Sequence, residues 1–140
     1  MAERVITNPS GAFGYTDLEQ TQWRLSAPFL TSAAVATKTV VAIGTDGKVA
    51  TAATNGTAAL AIGVTATAIS SGYTGNVVLA GVVTGVTAQG AIAAGDVLKR
   101  SATTAGAVAA TATPATGEAL GVALAASSGG TVTMWVFPGR

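Results

Sequence analysis

From about residue 37 the chain alternates small apolar side chains with hydroxyl side chains in short runs, and glycines punctuate the runs. A period of two rich in β-branched residues predicts strands. On this pattern strands are expected at 37–43, 49–54, 60–68, 76–87, 97–102, 107–113, 119–125 and 131–137. Thr45-Asp46-Gly47-Lys48 joins the first two, and Asp-Gly favours a tight hairpin because both turn positions want positive φ. Asn55-Gly56 is a second turn signal, and Gly81 and Gly85 inside one run predict bulges or a close backbone approach. Alanine favours helix on propensity alone. The interleaved Thr, Val and Gly, with a turn about every ten residues, outweigh it. The expectation is an all-β domain, a small barrel or sandwich.

The first part of the chain breaks this pattern. Four of the seven aromatic residues, Phe13, Tyr15, Trp23 and Phe29, fall within residues 1–30, together with Pro9 and Pro28. The sequence therefore divides into an extended N-terminal arm over 1–36 and a β-domain over 37–140. Within the arm, Thr16-Asp17-Leu18-Glu19 fits a capping box and would start a short helix running to about Leu25. Aromatic side chains bury large areas and often anchor interfaces, so Phe13, Tyr15, Trp23 and Phe29 are candidate contacts to a partner or to another subunit. The alternative is that they fold back as core of their own domain.

The β-domain also echoes itself. Gly47-Lys48-Val49-Ala50 returns as Gly106-Ala107-Val108-Ala109, Ile62-Gly63-Val64 as Leu120-Gly121-Val122, Ser70-Ser71-Gly72 as Ser127-Ser128-Gly129, and Val77 to Gly81 as Trp135 to Gly139, at offsets of 57 to 59. An ordered run at near-constant offset predicts two related β-units, roughly 40–81 and 98–139. Two copies are too few for a solenoid, so they are expected to be two halves of one small fold.

Composition adds constraint. Ala, Thr, Gly and Val supply 87 of the 140 residues, and there is no His and no Cys. Disulfides, thiol chemistry and His-based triads are therefore out of reach, as are the usual zinc, haem and iron–sulfur sites. A net charge of +1 from seven basic and six acidic residues gives no basic face for nucleic acid. The mean hydropathy of +0.55 comes from many Ala and Val, and no apolar run approaches the roughly 20 residues of a membrane helix. Met1 to Pro9 shows no secretory signal, so synthesis in the cytoplasm is expected. A core of such small side chains is thin against the backbone entropy it must offset, so partner subunits or a supporting surface are expected to complete it.

A search for chemistry finds little. The one Gly-Lys pair, Gly47-Lys48, lacks the rest of a phosphate-binding loop, and neither Gly-x-Gly nor Gly-x-Ser-x-Gly occurs. Asp46 and Asp96 sit at turn signals, where turn duty is the better account than paired acid–base work. No enzyme activity, cofactor or metal is expected. Lys99-Arg100, the one basic doublet, reads either as an exposed strand position guarding an edge or as a contact to an acidic partner surface.

The stretches Ala94 to Val108, Gly117 to Ala126 and Gly130 to Gly139 resemble the repeated "Gly-Asp, strand, short turn, Gly, strand" unit of small decoration (cement) proteins of tailed-phage capsids. The resemblance covers about residues 40–139 and not the arm. It implies a β-tulip-like or barrel fold and a virion protein on the outside of the phage head. It also implies a homotrimer bound to the major capsid protein that stabilises the shell, with no direct contact to DNA or membrane. Related modules occur in head-fibre bases, tail decorations and adhesin-like domains, so another phage structural role is the alternative.

Overall fold

The computed structural model describes residues 24–54 and 61–137. Nine strands form one antiparallel sheet among these residues: β1 (Arg24–Leu30), β2 (Val40–Ile43), β3 (Val49–Thr51), β4 (Ala61–Thr65), β5 (Thr74–Thr87), β6 (Val97–Arg100), β7 (Val108–Thr111), β8 (Gly121–Ala123) and β9 (Thr131–Val136). Their order is β3-β2-β4-β5-β9-β8-β6-β7, with β1 added on β5. The described residues contain no helix. The path is open, since β3 and β7 do not pair with each other, and the sheet curls as a half-barrel. The all-β expectation and the two related units both hold.

The hydrogen-bond register shows how the units are built. In the first unit β2 pairs with β3 through Val41↔Thr51 and with β4 through Val41↔Gly63. In the second, β6 pairs with β7 through Leu98↔Ala110 and with β8 through Leu98↔Gly121. The same correspondence carries Thr65↔Val77 onto Ala123↔Met134. It also carries Phe29↔Gly75 in β1 onto Val86↔Val132 in β5. Strand β5 therefore serves twice. Its first half ends unit one, and its second half opens unit two as β1 opens unit one. A bulge between Val83 and Val86, with Gly85 at φ 75°, lets the long strand turn from one unit to the other.

Two corrections to the sequence reading follow. Residues 24–36, read as the end of the arm, form β1 and the crossing that begins unit one. Arg24 and Leu25 are strand rather than the end of a helix, and the rest of the expected helix lies outside the described residues, as does the Asn55-Gly56 turn. In the last strand the echo aligns one position differently, with Val77 matching Met134 and Val78 matching Trp135. Bulges add or remove single residues, so no one offset holds along the chain.

Each unit curls around the same set of positions. In unit one Phe29, Val35, Val41, Val49, Ile62, Val77 and Leu79 pack together. The corresponding residues of unit two, Val86, Ile92, Leu98, Val108, Leu120, Met134 and Val136, lie in the larger cluster. Each curl is tied at the same place. Ser32 N donates to Val49 O at 3.0 Å, and Gln89 N donates to Val108 O at 2.8 Å. The larger cluster also takes in Val40, Ala42, Ala52, Val64 and Val78 from the other face of unit one. That sharing joins the units into one core. It also explains the unbroken burial of Val40, Val41 and Ala42 in β2, which faces apolar neighbours on both sides.

Candidate interaction surface

The carboxylates of the described residues serve their own turns. Asp46 Oδ1 accepts from Lys48 N at 3.0 Å in the β2–β3 hairpin. Asp96 Oδ2 accepts from Ala93 N at 2.8 Å just before β6. Glu118 Oε2 accepts from Ala115 N at 3.0 Å and from Lys99 Nζ at 3.4 Å. These are local side-chain to backbone bonds that fix loop shape. No group of three potential metal ligands occurs among the described residues.

The Ala115 N–H, and then the Lys99 ammonium, hold the Glu118 carboxyl below the ordinary glutamate range. A lowered carboxyl pKa adds stability above the unfolded value, and that contribution is lost as pH falls through the folded value. Because the backbone N–H is the larger cause, Lys99→Ala is expected to move the Glu118 midpoint only part of the way up. A carboxyl-carbon NMR titration checks this, and a full return to the unfolded midpoint would contradict it. Burial, and then Arg24, push the Lys38 ammonium down.

The basic doublet is divided by the strand period. Lys99 reaches Glu118, whereas Arg100 Nη1 donates to the Ala53 carbonyl of unit one at 3.1 Å. Neighbouring strand residues point to opposite faces, so the two cations do not form one patch. Of the arm aromatics, Phe29 is partly buried and packs on the unit-one cluster. Phe13, Tyr15 and Trp23 lie outside the described residues.

What the described surface offers is apolar. Leu25, Leu30, Ile43, Tyr73, Leu124 and Trp135 are large apolar side chains left exposed. Trp135 in β9 and Leu124, the first residue past β8, are 41% and 48% exposed, and Leu124 N donates to Thr133 O in β9 at 2.9 Å. Val122, beside Trp135 in the ladder, and Val97, beside Val122, extend this face. The strand period could have shown it in the sequence, because Val132, Met134 and Val136 are buried while Trp135 alternates outward. Interfaces are enriched in such aromatic anchors. Among the described residues no helix is long and apolar enough to cross a membrane.

A family model described as phage cement protein matches residues 19–137. No curated protein matches the chain. Among solved structures, the head fiber gp8.5 N base of bacteriophage phi29 has a similar fold, with a TM-score of 0.57 and 18% sequence identity. The likeness covers 81% of this chain and 94% of that one.

Proposed function

The chain belongs to the phage cement protein family, and from that premise we propose that it is a trimeric decoration protein that binds the major capsid protein on the outside of the phage head and stabilises the shell. The family match over residues 19–137 carries this reading. The described surface supports it, because it presents apolar anchors while its carboxylates serve their own turns.

The mechanism is mechanical. A trimer seated across a junction between capsomers contacts several capsid subunits at once. Once one contact forms, the others act at high effective concentration. Binding to the assembled shell and not to its separated subunits stabilises the shell by mass action. Phe13, Tyr15 and Trp23 add contacts to the capsid in this reading. Lys99 has Glu118 as its partner at 3.4 Å, so it meets an acidic capsid surface only by exchanging that partner.

A second reading is the base of a head fibre, favoured by the likeness to the phi29 head fiber base. A fibre base would carry a projecting partner or further chain, whereas a cement trimer would stand alone on the shell.

The test is addition of the full chain to heads that lack it. Saturable co-sedimentation is expected, together with a higher temperature of shell rupture. Removing residues 1–23, which leaves β1 in place, is expected to weaken binding about tenfold or more, the scale of one lost aromatic anchor. Absence of co-sedimentation would overturn the reading, and unchanged binding by the shortened chain would remove the arm from it.

A further inference from the structure

The two units stack in tandem, and the contact between them uses a different face of each. Unit one contributes Val40, Ala42, Val64 and Val78, with Ala66 beside them. Unit two contributes the tip of its β6–β7 hairpin. Gly106 O accepts from Val40 N at 2.8 Å, and Gly106 N donates to Ala52 O at 2.9 Å. Arg100 reaches the Ala53 carbonyl, and Thr87 N donates to Lys38 O at 3.2 Å.

A stack of two leaves one such face unused on each unit, and the register identifies both. On unit two the positions of Val40, Val64, Val78 and Ala66 are held by Val97, Val122, Trp135 and Leu124. On unit one the positions of Gly106, Arg100 and Thr87 are held by Gly47, Ile43 and Leu30. The two hairpin glycines show the difference directly. A Cβ at Gly106 would meet the methyl groups of Thr39 and Thr51, whereas nothing lies within 4 Å of one at Gly47.

Four of the six large exposed apolar residues fall on these two faces: Trp135, Leu124, Ile43 and Leu30. At these four positions the chemistry shifts in one direction. Where the internal contact has Val78 and Ala66, the unused face has Trp135 and Leu124. Where the internal contact has Arg100 and Thr87, the unused face has Ile43 and Leu30. Lys99, at the position of Ala42, is neutralised by Glu118. At these four positions the unused faces are larger or more apolar than the faces already buried in the chain, and each face has the other as its natural complement.

We propose that Trp135 and Leu124 of one copy dock on Ile43, Leu30 and the Gly47 hairpin of a second copy, continuing the tandem stack from chain to chain. The contact is heterologous, head to tail, and such contacts close into rings when the rotation per copy allows. This deepens the trimer part of the proposed function by naming the surfaces that join the copies, and it rests on that part only for the number of copies in the ring.

The experiment uses two full-length variants, Trp135→Asp and Ile43→Asp, in sedimentation velocity at about 50 µM, with far-UV circular dichroism as a check on folding. Loss of a central aromatic anchor is expected to weaken association about 30-fold or more. The natural chain is expected to be oligomeric and each variant a monomer of 13.5 kDa. An equimolar mixture should give a dimer and nothing larger, because it restores one good pair of faces and leaves the bad pair at the two ends. Leu124→Ser and Leu30→Ser repeat the test should either aspartate variant fail to fold. A monomeric natural chain, variants that keep the natural size, or a mixture that stays monomeric would each overturn the proposal. So would an oligomer that forms only after residues 1–23 are removed, which would assign the Trp135 face to the chain's own N-terminus. Head binding is measured separately: an oligomer that never binds heads removes the cement reading and leaves this contact standing.

Discussion

Gly63→Ala and Gly121→Ala are each expected to destabilise the fold by about 3 kcal/mol or more, at the upper end of what overpacking costs. These glycines occupy matching places in β4 and β8. A Cβ at Gly63 would fall against the carbonyl oxygen of Val78 and the Val77 side chain. At Gly121 it would fall against the carbonyl oxygen of Trp135 and the Met134 side chain. In both cases the obstacle is the backbone of the next strand, which cannot swing aside as a side chain can. Relief requires separating β4 from β5, or β8 from β9, and each of those ladders joins the strands of its own unit. Gly47→Ala is the control. Its φ of 77° strains a new side chain, but the space is open, so the cost there should stay near 1 kcal/mol. Urea unfolding of the three variants checks the ranking. An equal loss at all three would show that backbone conformation, and not the closeness of the strands, makes the glycines necessary.

Leu98→Ala is expected to cost about 2–5 kcal/mol, the range for a large buried aliphatic residue whose cavity only partly collapses. Leu98 is fully buried, and it is the counterpart of Val41. It lies in the cluster that also holds Val40, Val64 and Val78 of unit one. The loss should therefore lower the stability of the whole fold and not of unit two alone. Trp135 fluorescence, read in a Trp23→Phe background, and far-UV circular dichroism should report one transition with a shared midpoint, as cooperative small domains do. Two separate midpoints would mean that the units melt independently and that the shared core does not couple them.

Much of this fold was legible in the sequence, and particular residues show why the rest was not. The Asp46-Gly47 hairpin and the runs of Val and Thr marked most of the strands. The echo of Ile62-Gly63-Val64 in Leu120-Gly121-Val122 survives because two strand ladders forbid a side chain at its centre. Strand β1 was hidden. Its sequence RLSAPFL contains Pro28, lies at an edge of the sheet and is mostly exposed, so neither pattern nor composition marked it as a strand. Its match to the second half of β5 rests on paired positions such as Phe29 and Val86, which share a place in the packing but not identity. For the same reason the pattern did not show that Phe29 packs, partly buried, on the unit-one cluster. The candidate surface was half legible: alternation along β9 shows that Trp135 points outward, but only the β8–β9 register shows that it shares its face with Leu124 and Val122. Adjacent Lys99 and Arg100 looked like one basic site, and the same alternation explains why they are two.

The most direct measurement of the central claim is a difference map from cryo-microscopy of heads with and without this protein. A decoration protein predicts added density on the outer surface of the shell, as three-fold clusters of half-barrels over the junctions between capsomers. Shells with no added density, or density confined to the tail, would contradict it.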